Sequence, residues 1–314
     1  MGIGAMSITS VLPLPNACLA ARSVHLPEAL SASRQVLTSR RAGLLSYYAD
    51  TQASGRPLVL IHSINAAPSA FEMKPLFDHF RAQRPVYALD LPGFGFSDRS
   101  DRRYSPELFA NAIQDFLREV VRAPADLVAF SLGTEFAARA ALESPAAVTS
   151  LVLLSPTGFS KRSLPTGELS QRVHRVLSTP GLSQGLFNLL TSRPSIRYFL
   201  GQAFPGGKTP PEMVEYAYAT AHQPGARFAP LYFLSGQLFT PQAAEVLYAR
   251  LTQPVLALYD RDPNVTFDLL PDLVASHPNW RAERVSPTCG IPQWDRPADT
   301  AAAIARFWET LPSI

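Results

Sequence analysis

Short apolar runs alternate with stretches in which apolar residues recur every three or four positions, up to about residue 158 and again from 252. The runs at 43–49, 57–62, 86–91, 127–130, 150–154, 255–259 and 281–285 predict strands of a mostly parallel sheet covered on both faces. Between them the helical stretches carry start signals. Ser105-Pro106-Glu107 supplies a cap residue, a first-turn proline and a first-turn acid. Behind it Phe109, Ile113, Phe116, Leu117 and Val120 recur at helical spacing and make one buried face. A last helix over 298–311, with Ala302, Ile304, Phe307 and Trp308, packs on the sheet.

From 159 to 251 the alternation stops, and the pattern predicts helices broken by prolines and glycines. Leu169, Val173, Val176 and Leu177 mark one helix, and Leu186, Phe187 and Leu190 a second. Thr209-Pro210-Pro211-Glu212 has capping-box spacing and opens a third, which continues through Tyr218. The division is therefore an N-terminal arm (1–33), a core (34–158 and 252–314) and a helical insertion (159–251). The insertion's aromatics, Phe187, Tyr198, Phe199, Phe204, Tyr216, Tyr218, Phe228, Tyr232 and Phe233, have two readings. They pack insertion onto core, or a few of them line an apolar pocket between the two.

Composition narrows the classes. Apolar residues make up 46% and charged residues 17%, which suits a packed globular chain. The net charge of +3 is mild, and Arg81, Arg84, Arg99, Arg102, Arg103, Arg172 and Arg175 are spread among acids and turns. That describes a solvated surface better than a nucleic-acid interface. Cys18 and Cys289 form neither a metal-ligand spacing nor a disulfide framework, so no metal is expected, and no cofactor either. The apolar stretches are shorter than a membrane span. Residues 1–33 lack the positive start of a secretory signal, and Pro15 and Asn16 argue against a lipoprotein signal at Cys18. The segment reads as an arm lying on the domain or as an added remnant, and a cytoplasmic location follows by default.

The chemistry centres on Asp126-Leu-Val-Ala-Phe-Ser131-Leu-Gly133, an apolar strand running through a serine into a helix of small residues, Ala137, Ala138, Ala140 and Ala141. A serine hydroxyl reacts only when exposed, given a base, and faced by donors for the oxyanion it creates. A sharp strand-to-helix turn exposes it and leaves room only for small residues two before and two after, here Ala129 and Gly133. This run resembles the nucleophile elbow of the α/β-hydrolase superfamily, with alanine in place of the first glycine. Asp90-Leu-Pro-Gly93-Phe-Gly95-Phe-Ser97 is similar to the superfamily's D-x-P-G-x-G-x-S turn, a structural element at the pocket rim.

The resemblance covers 44 to the C-terminus and implies a doubly wound, mainly parallel eight-stranded sheet with an inserted helical cap. It implies a carboxylic-ester hydrolase with Ser131 as nucleophile, acting on a small apolar ester or acyl ligand. The oxyanion donors would be the N–H groups of Leu132, at a helix N-terminus, and of Ile64, in the loop His62-Ser63-Ile64-Asn65. Ser63 stands where the family has glycine, which raises the question of a positive φ there. His62 is expected to brace this loop. Asp262 of Asp262-Pro263 would be the acid, with Asp260 as fallback.

The superfamily's Gly-His-x-x-x-x-Glu-x-Pro is matched by Thr288-Cys289-Gly290-Ile291-Pro292-Gln293-Trp294-Asp295-Arg296-Pro297. Gly290 stands in the place of the histidine, and no histidine follows His277. Without an imidazole no group with a pKa near neutrality takes the serine's proton, and a carboxylate is too weak a base. Three readings stay open: a degenerate site that binds a ligand or partner, an active hydrolase whose base is His222 or His174 from the insertion, or a non-hydrolytic carbonyl-binding site. Gly290 is either native drift, in company with Ala129 and Ser63, or an engineered replacement. Gly290→His is expected to restore esterase activity if the remaining geometry is intact.

Overall fold

The computed structural model describes residues 24–161 and 167–311; Cys18 and residues 1–23 of the arm lie outside the described residues. Eight strands form one sheet: β1 (Ser33–Ser39), β2 (Gly43–Asp50), β3 (Leu58–Ile61), β4 (Val86–Leu89), β5 (Ala125–Phe130), β6 (Val148–Leu154), β7 (Val255–Tyr259) and β8 (Trp280–Arg284). Their spatial order is β1-β2-β4-β3-β5-β6-β7-β8. β2 runs antiparallel to both its neighbours, and every pair from β4 to β8 is parallel. The doubly wound, mainly parallel sheet is the one the sequence implies. β1 went unrecognised because Ser33–Ser39 is an exposed edge with only Val36 and Leu37 to mark it.

The central strands β3 and β5 are buried along their whole length, which explains why they read as unbroken apolar runs. Helices α1 (Lys74–Phe80), α2 (Pro106–Phe116) and α3 (Gly133–Glu143) follow β3, β4 and β5. On one face of the sheet Phe109 of α2 stacks on Phe136 of α3, with ring centroids 4.6 Å apart. On the other face Phe77 and Phe80 of α1 share a cluster with Ile304 and Phe307 near the C-terminus. Truncating one such fully buried phenylalanine to alanine costs about 3–5 kcal/mol. Ser105 caps α2 as expected, its side chain accepting from the Leu108 N–H.

Between β6 and β7 lie α4 (Gly167–Leu177), α5 (Leu182–Leu190), α6 (Arg193–Gln202), α7 (Pro211–Ala221), α8 (Phe228–Leu234) and α9 (Ala243–Val246). The capping box expected at Thr209 is absent: α7 begins at Pro211 with Pro210 as its cap, and the buried Thr209 hydroxyl has no hydrogen-bond partner among the described residues. Two prolines in succession pre-set the first turn and move the start one residue on. The insertion is tied to the core by Arg99, whose Nη1 donates to the Thr220 carbonyl at 2.6 Å, and by Phe71 stacked on Tyr216 at 4.5 Å. Of the insertion's aromatics, Phe187, Phe204 and Tyr216 are buried, whereas Tyr198 and Phe199 face solvent. α10 (Leu270–Ser276) follows β7, and α11 (Pro292–Asp295) and α12 (Pro297–Glu309) follow β8. The chain ahead of β1 packs on the domain: Leu26, Ala29 and Leu30 are buried, and the Ala29 N–H donates to the Tyr48 hydroxyl at 2.9 Å.

Candidate active site

Strand register brings the chemistry-bearing residues to one edge of the sheet. Ile61 of β3 lies beside Ala129 of β5, Phe130 beside Leu154 of β6, and Leu154 beside Leu258 of β7. The segments 62–65, 131–133 and 260–263 therefore leave adjacent strands at their carboxyl ends, where open α/β sheets bind ligands. Ser131 has φ +51, one of four described non-glycine residues with positive φ. That backbone costs about 1–2 kcal/mol in a residue with a Cβ. The turn is held open by the Ser131 N–H donating to the Leu154 carbonyl at 2.9 Å and by the Thr134 N–H donating to the Ser131 carbonyl at 3.1 Å. Gly133 is fixed by close approach: a Cβ there would lie 2.3 Å from the His62 carbonyl oxygen. The start of α3 thus packs backbone to backbone on the loop after β3.

That loop has no glycine-like backbone; Ser63 is not among the residues with positive φ. Its serine is used for hydrogen bonding instead. The Ser63 N–H and hydroxyl donate to the Glu72 carboxylate at 2.9 and 3.0 Å, and Asn65 Nδ2 donates to the same group at 3.0 Å. His62 is buried, with Nε2 accepting from the Leu91 N–H at 2.9 Å and Nδ1 at 2.6 Å from the Ser63 carbonyl. Both ring nitrogens are occupied, and burial pushes the imidazole down to about 4, so it braces the loop as a neutral ring. Ile64 and Leu132 are buried, and among the described residues neither N–H has an acceptor.

Asp262 accepts from the N–H groups of Asn264 and Val265 at 2.8 and 3.1 Å through Oδ1. Burial raises its carboxyl above the ordinary range against those two bonds. Its Oδ2 faces Gly290, whose Cβ, if present, would lie 2.8 Å from that oxygen. Asp262 and Gly290 are therefore neighbours. Gly290 itself has φ +112, a conformation in which a histidine would be strained. Asp260 is otherwise engaged. Its carboxylate accepts from Arg284 at 2.6 Å and from the Thr288 N–H at 3.0 Å, clamping the strand end that leads to Gly290. Burial works to raise the Asp260 carboxyl, but the Thr288 and Arg284 donors outweigh it and hold it below the usual carboxylate range.

No described histidine hydrogen-bonds to Ser131 or Asp262. His222 ends α7 with Nδ1 2.8 Å from the Tyr218 carbonyl, its ring stacked on Tyr218. His174 of α4 lies against Tyr232 and lines a cleft with Arg103, Arg175 and Ser178, none of them a predicted site residue. Burial lowers its pKa. Among the described residues there is no group of three or more His, Cys, Asp or Glu able to hold a metal, and no helix is long and apolar enough to cross a membrane.

Two residues that sequence reasoning missed hold the site's backbone. Glu72 ties down the loop of Ile64 through its carboxylate, while its carbonyl accepts from Trp294 Nε1 at 2.8 Å in the segment after Gly290. Glu135, in the first turn of α3, accepts from the Thr157 hydroxyl at 2.5 Å and from the Thr240 N–H at 2.7 Å. Burial pushes both carboxyls up to about 7 against their hydrogen bonds. An acid among the alanines of α3 was the available signal for Glu135; Glu72 had none.

The chain can now be compared with known proteins. The profile of the alpha/beta hydrolase family matches residues 58–303. An uncharacterized hydrolase, YugF, of Bacillus subtilis is 31% identical over 163 residues, which are 49% of this chain and 59% of YugF. A 1-acylglycerol-3-phosphate O-acyltransferase, ABHD5, of Rattus norvegicus is 31% identical over 119 residues, 37% of this chain and 33% of that one. The chain thus spans less than two thirds of either relative. A crystal structure of a probable hydrolytic enzyme from Pseudomonas aeruginosa superimposes with a TM-score of 0.73 at 20% identity, covering 90% of this chain and 96% of that one, a likeness of fold alone. The sheet order, the tight turn at Ser131 and the family match over most of the chain agree, and this chain belongs to the alpha/beta hydrolase family.

Proposed function

We propose that the chain is a serine ester hydrolase by lineage that has kept its acyl-binding site and lost its base, so that it binds an ester or acyl carbonyl at Ser131 and turns it over slowly. The observation that carries this reading is the left-handed backbone of Ser131. A strain of about 1–2 kcal/mol in a serine persists only where the surroundings enforce it, and such strain clusters at functional sites. In the reaction the Ser131 Oγ bonds to the carbonyl carbon and gives its proton to water, while the carbonyl oxygen takes the negative charge. The N–H groups of Leu132 and Ile64 and the N-terminus of α3 hold that charge. The leaving alkoxide takes a proton from water, and a second water hydrolyses the acyl-serine. A positioned base contributes roughly 10²–10⁴-fold, and this chain forgoes that factor. Asp262 has no imidazole to orient.

A second reading is favoured by Gly290. Its φ of +112 means the loop has settled into a backbone natural to glycine, as expected of a lineage using the pocket for binding alone. Incubation with a fluorophosphonate probe and with p-nitrophenyl acetate and butyrate separates the two. Slow labelling of Ser131 that Ser131→Ala abolishes supports the first. Saturable binding of an acyl ligand with no labelling over days supports the second. Rapid turnover silenced by His174→Ala or His222→Ala would contradict both.

A further inference from the structure

The helical insertion leaves large apolar side chains exposed on each of its first three helices. In α4 the side turned to the domain carries the buried Ser170 and the half-buried Val173, His174 and Leu177, while Leu169 and Val176 lie on the neighbouring outer side. His174 lies against Tyr232 of α8 at 3.9 Å, and the exposed Gln171 and the half-buried Ser178 line the same open cleft. Ser170 is the buried residue of this helix. Leu169 and Val176 are left outside, each more than half exposed. α5 buries Phe187 and Ser183 and leaves Leu182 and Leu189 exposed. α6, packed against α5, exposes the adjacent aromatics Tyr198 and Phe199. Of the ten exposed large hydrophobic side chains among the described residues, six fall between 169 and 199. A water-facing helix normally buries such a stripe, and exposed apolar clusters of this kind mark interaction surfaces.

The same helices are basic. From Gly167 to Lys208 the chain carries Arg172, Arg175, Arg193, Arg197 and Lys208 against the single acid Glu168. The whole chain carries only +3, so this stretch accounts for the excess. Arg172 pairs with Glu168 and Arg193 with Glu215 of α7, and Arg175 and Arg197 make no ion pair among the described residues. Apolar faces flanked by unpaired cations, with aromatics beside them, fit one class of occupant. We propose that α4–α6 dock on an anionic lipid surface, with Leu169, Val176, Leu182, Leu189, Tyr198 and Phe199 entering the headgroup boundary and Arg175 and Arg197 meeting the phosphates. The proposal is independent of whether Ser131 reacts.

The test is sedimentation of the full-length chain with vesicles of phosphatidylcholine alone and of phosphatidylcholine mixed with phosphatidylglycerol. Binding to the mixed vesicles, little to the neutral ones, and release by salt are expected, and none of these needs a variant. Leu169→Ser with Val176→Ser, both at exposed positions, should lower partitioning about tenfold or more without shifting the thermal midpoint. Arg175→Ala and Arg197→Ala should each lower it roughly fivefold. The proposal is overturned if the chain stays in solution with both vesicle types. It is equally overturned if light scattering finds a dimer that Leu169→Ser with Val176→Ser dissolves, which would make a second copy the occupant.

Discussion

Replacing Gly290 by histidine looks from the sequence like a direct way to rebuild the missing base, and the structure predicts that it fails. The residue sits at φ +112, where a side chain costs about 1–3 kcal/mol. A Cβ at that position would lie 2.8 Å from Asp262 Oδ2, 3.2 Å from its Cγ and 3.7 Å from Pro263 Cδ. The carboxylate must swing away, and it is held by the N–H groups of Asn264 and Val265. Loosening two such bonds costs about 0.5–1.5 kcal/mol each. The total is about 2–6 kcal/mol, a large share of the roughly 5–15 kcal/mol that keeps an ordinary domain folded. Urea unfolding of Gly290→His beside Gly290→Ala separates strain from chemistry, since both introduce the Cβ and only one brings an imidazole. Both should lose stability by similar amounts, and neither should gain ester hydrolysis. If Gly290→His unfolds within about 0.5 kcal/mol of the native chain and hydrolyses esters about 10²-fold faster, this account of the loop is refuted.

Three further outcomes follow from the site's framework. Glu72→Ala leaves the Ser63 and Asn65 donors without their acceptor and should cost about 2–4 kcal/mol by urea unfolding, with loss of any Ser131 labelling as the Ile64 loop loosens. Because the Glu72 and Glu135 carboxyls sit at about 7, above the unfolded value, the native chain holds more protons than the unfolded chain in that window. Their contribution to stability is complete below the ordinary glutamate range and declines as pH rises to about 7, so Glu135→Gln should flatten the urea midpoint between about pH 5 and about pH 8. Gly133→Ala drives a Cβ to 2.3 Å from the His62 carbonyl oxygen, a backbone atom that cannot yield. It should destabilise at or above the upper end of the about 1–3 kcal/mol typical of overpacking, read as a lowered thermal midpoint.

Much of the fold could be read from the chain because β3–β7 are buried on both faces and so write themselves as apolar runs. β1 could not, since an exposed edge strand carries polar residues that match a loop equally well. The turn at Ser131 was readable because steric crowding dictates small neighbours, and Gly133 meets that demand against His62. Glu72 was not, because its partners Ser63 and Trp294 come together only when the loop after β3 meets the segment after β8. Periodicity located the apolar stripe of α4 and was silent on the direction it faces. Gly290 shows the same limit: its identity marks where the family motif departs, and only the structure gives its backbone angle of φ +112.

The most direct test of the central claim is the mass of the intact protein followed over time with p-nitrophenyl acetate, with and without free imidazole. The account predicts an acetyl adduct on Ser131 that forms slowly, forms faster when imidazole supplies the missing base, and is absent in Ser131→Ala. Turnover at the about 1–10³ s⁻¹ of ordinary enzymes without added imidazole, or an adduct on a different residue, would contradict it.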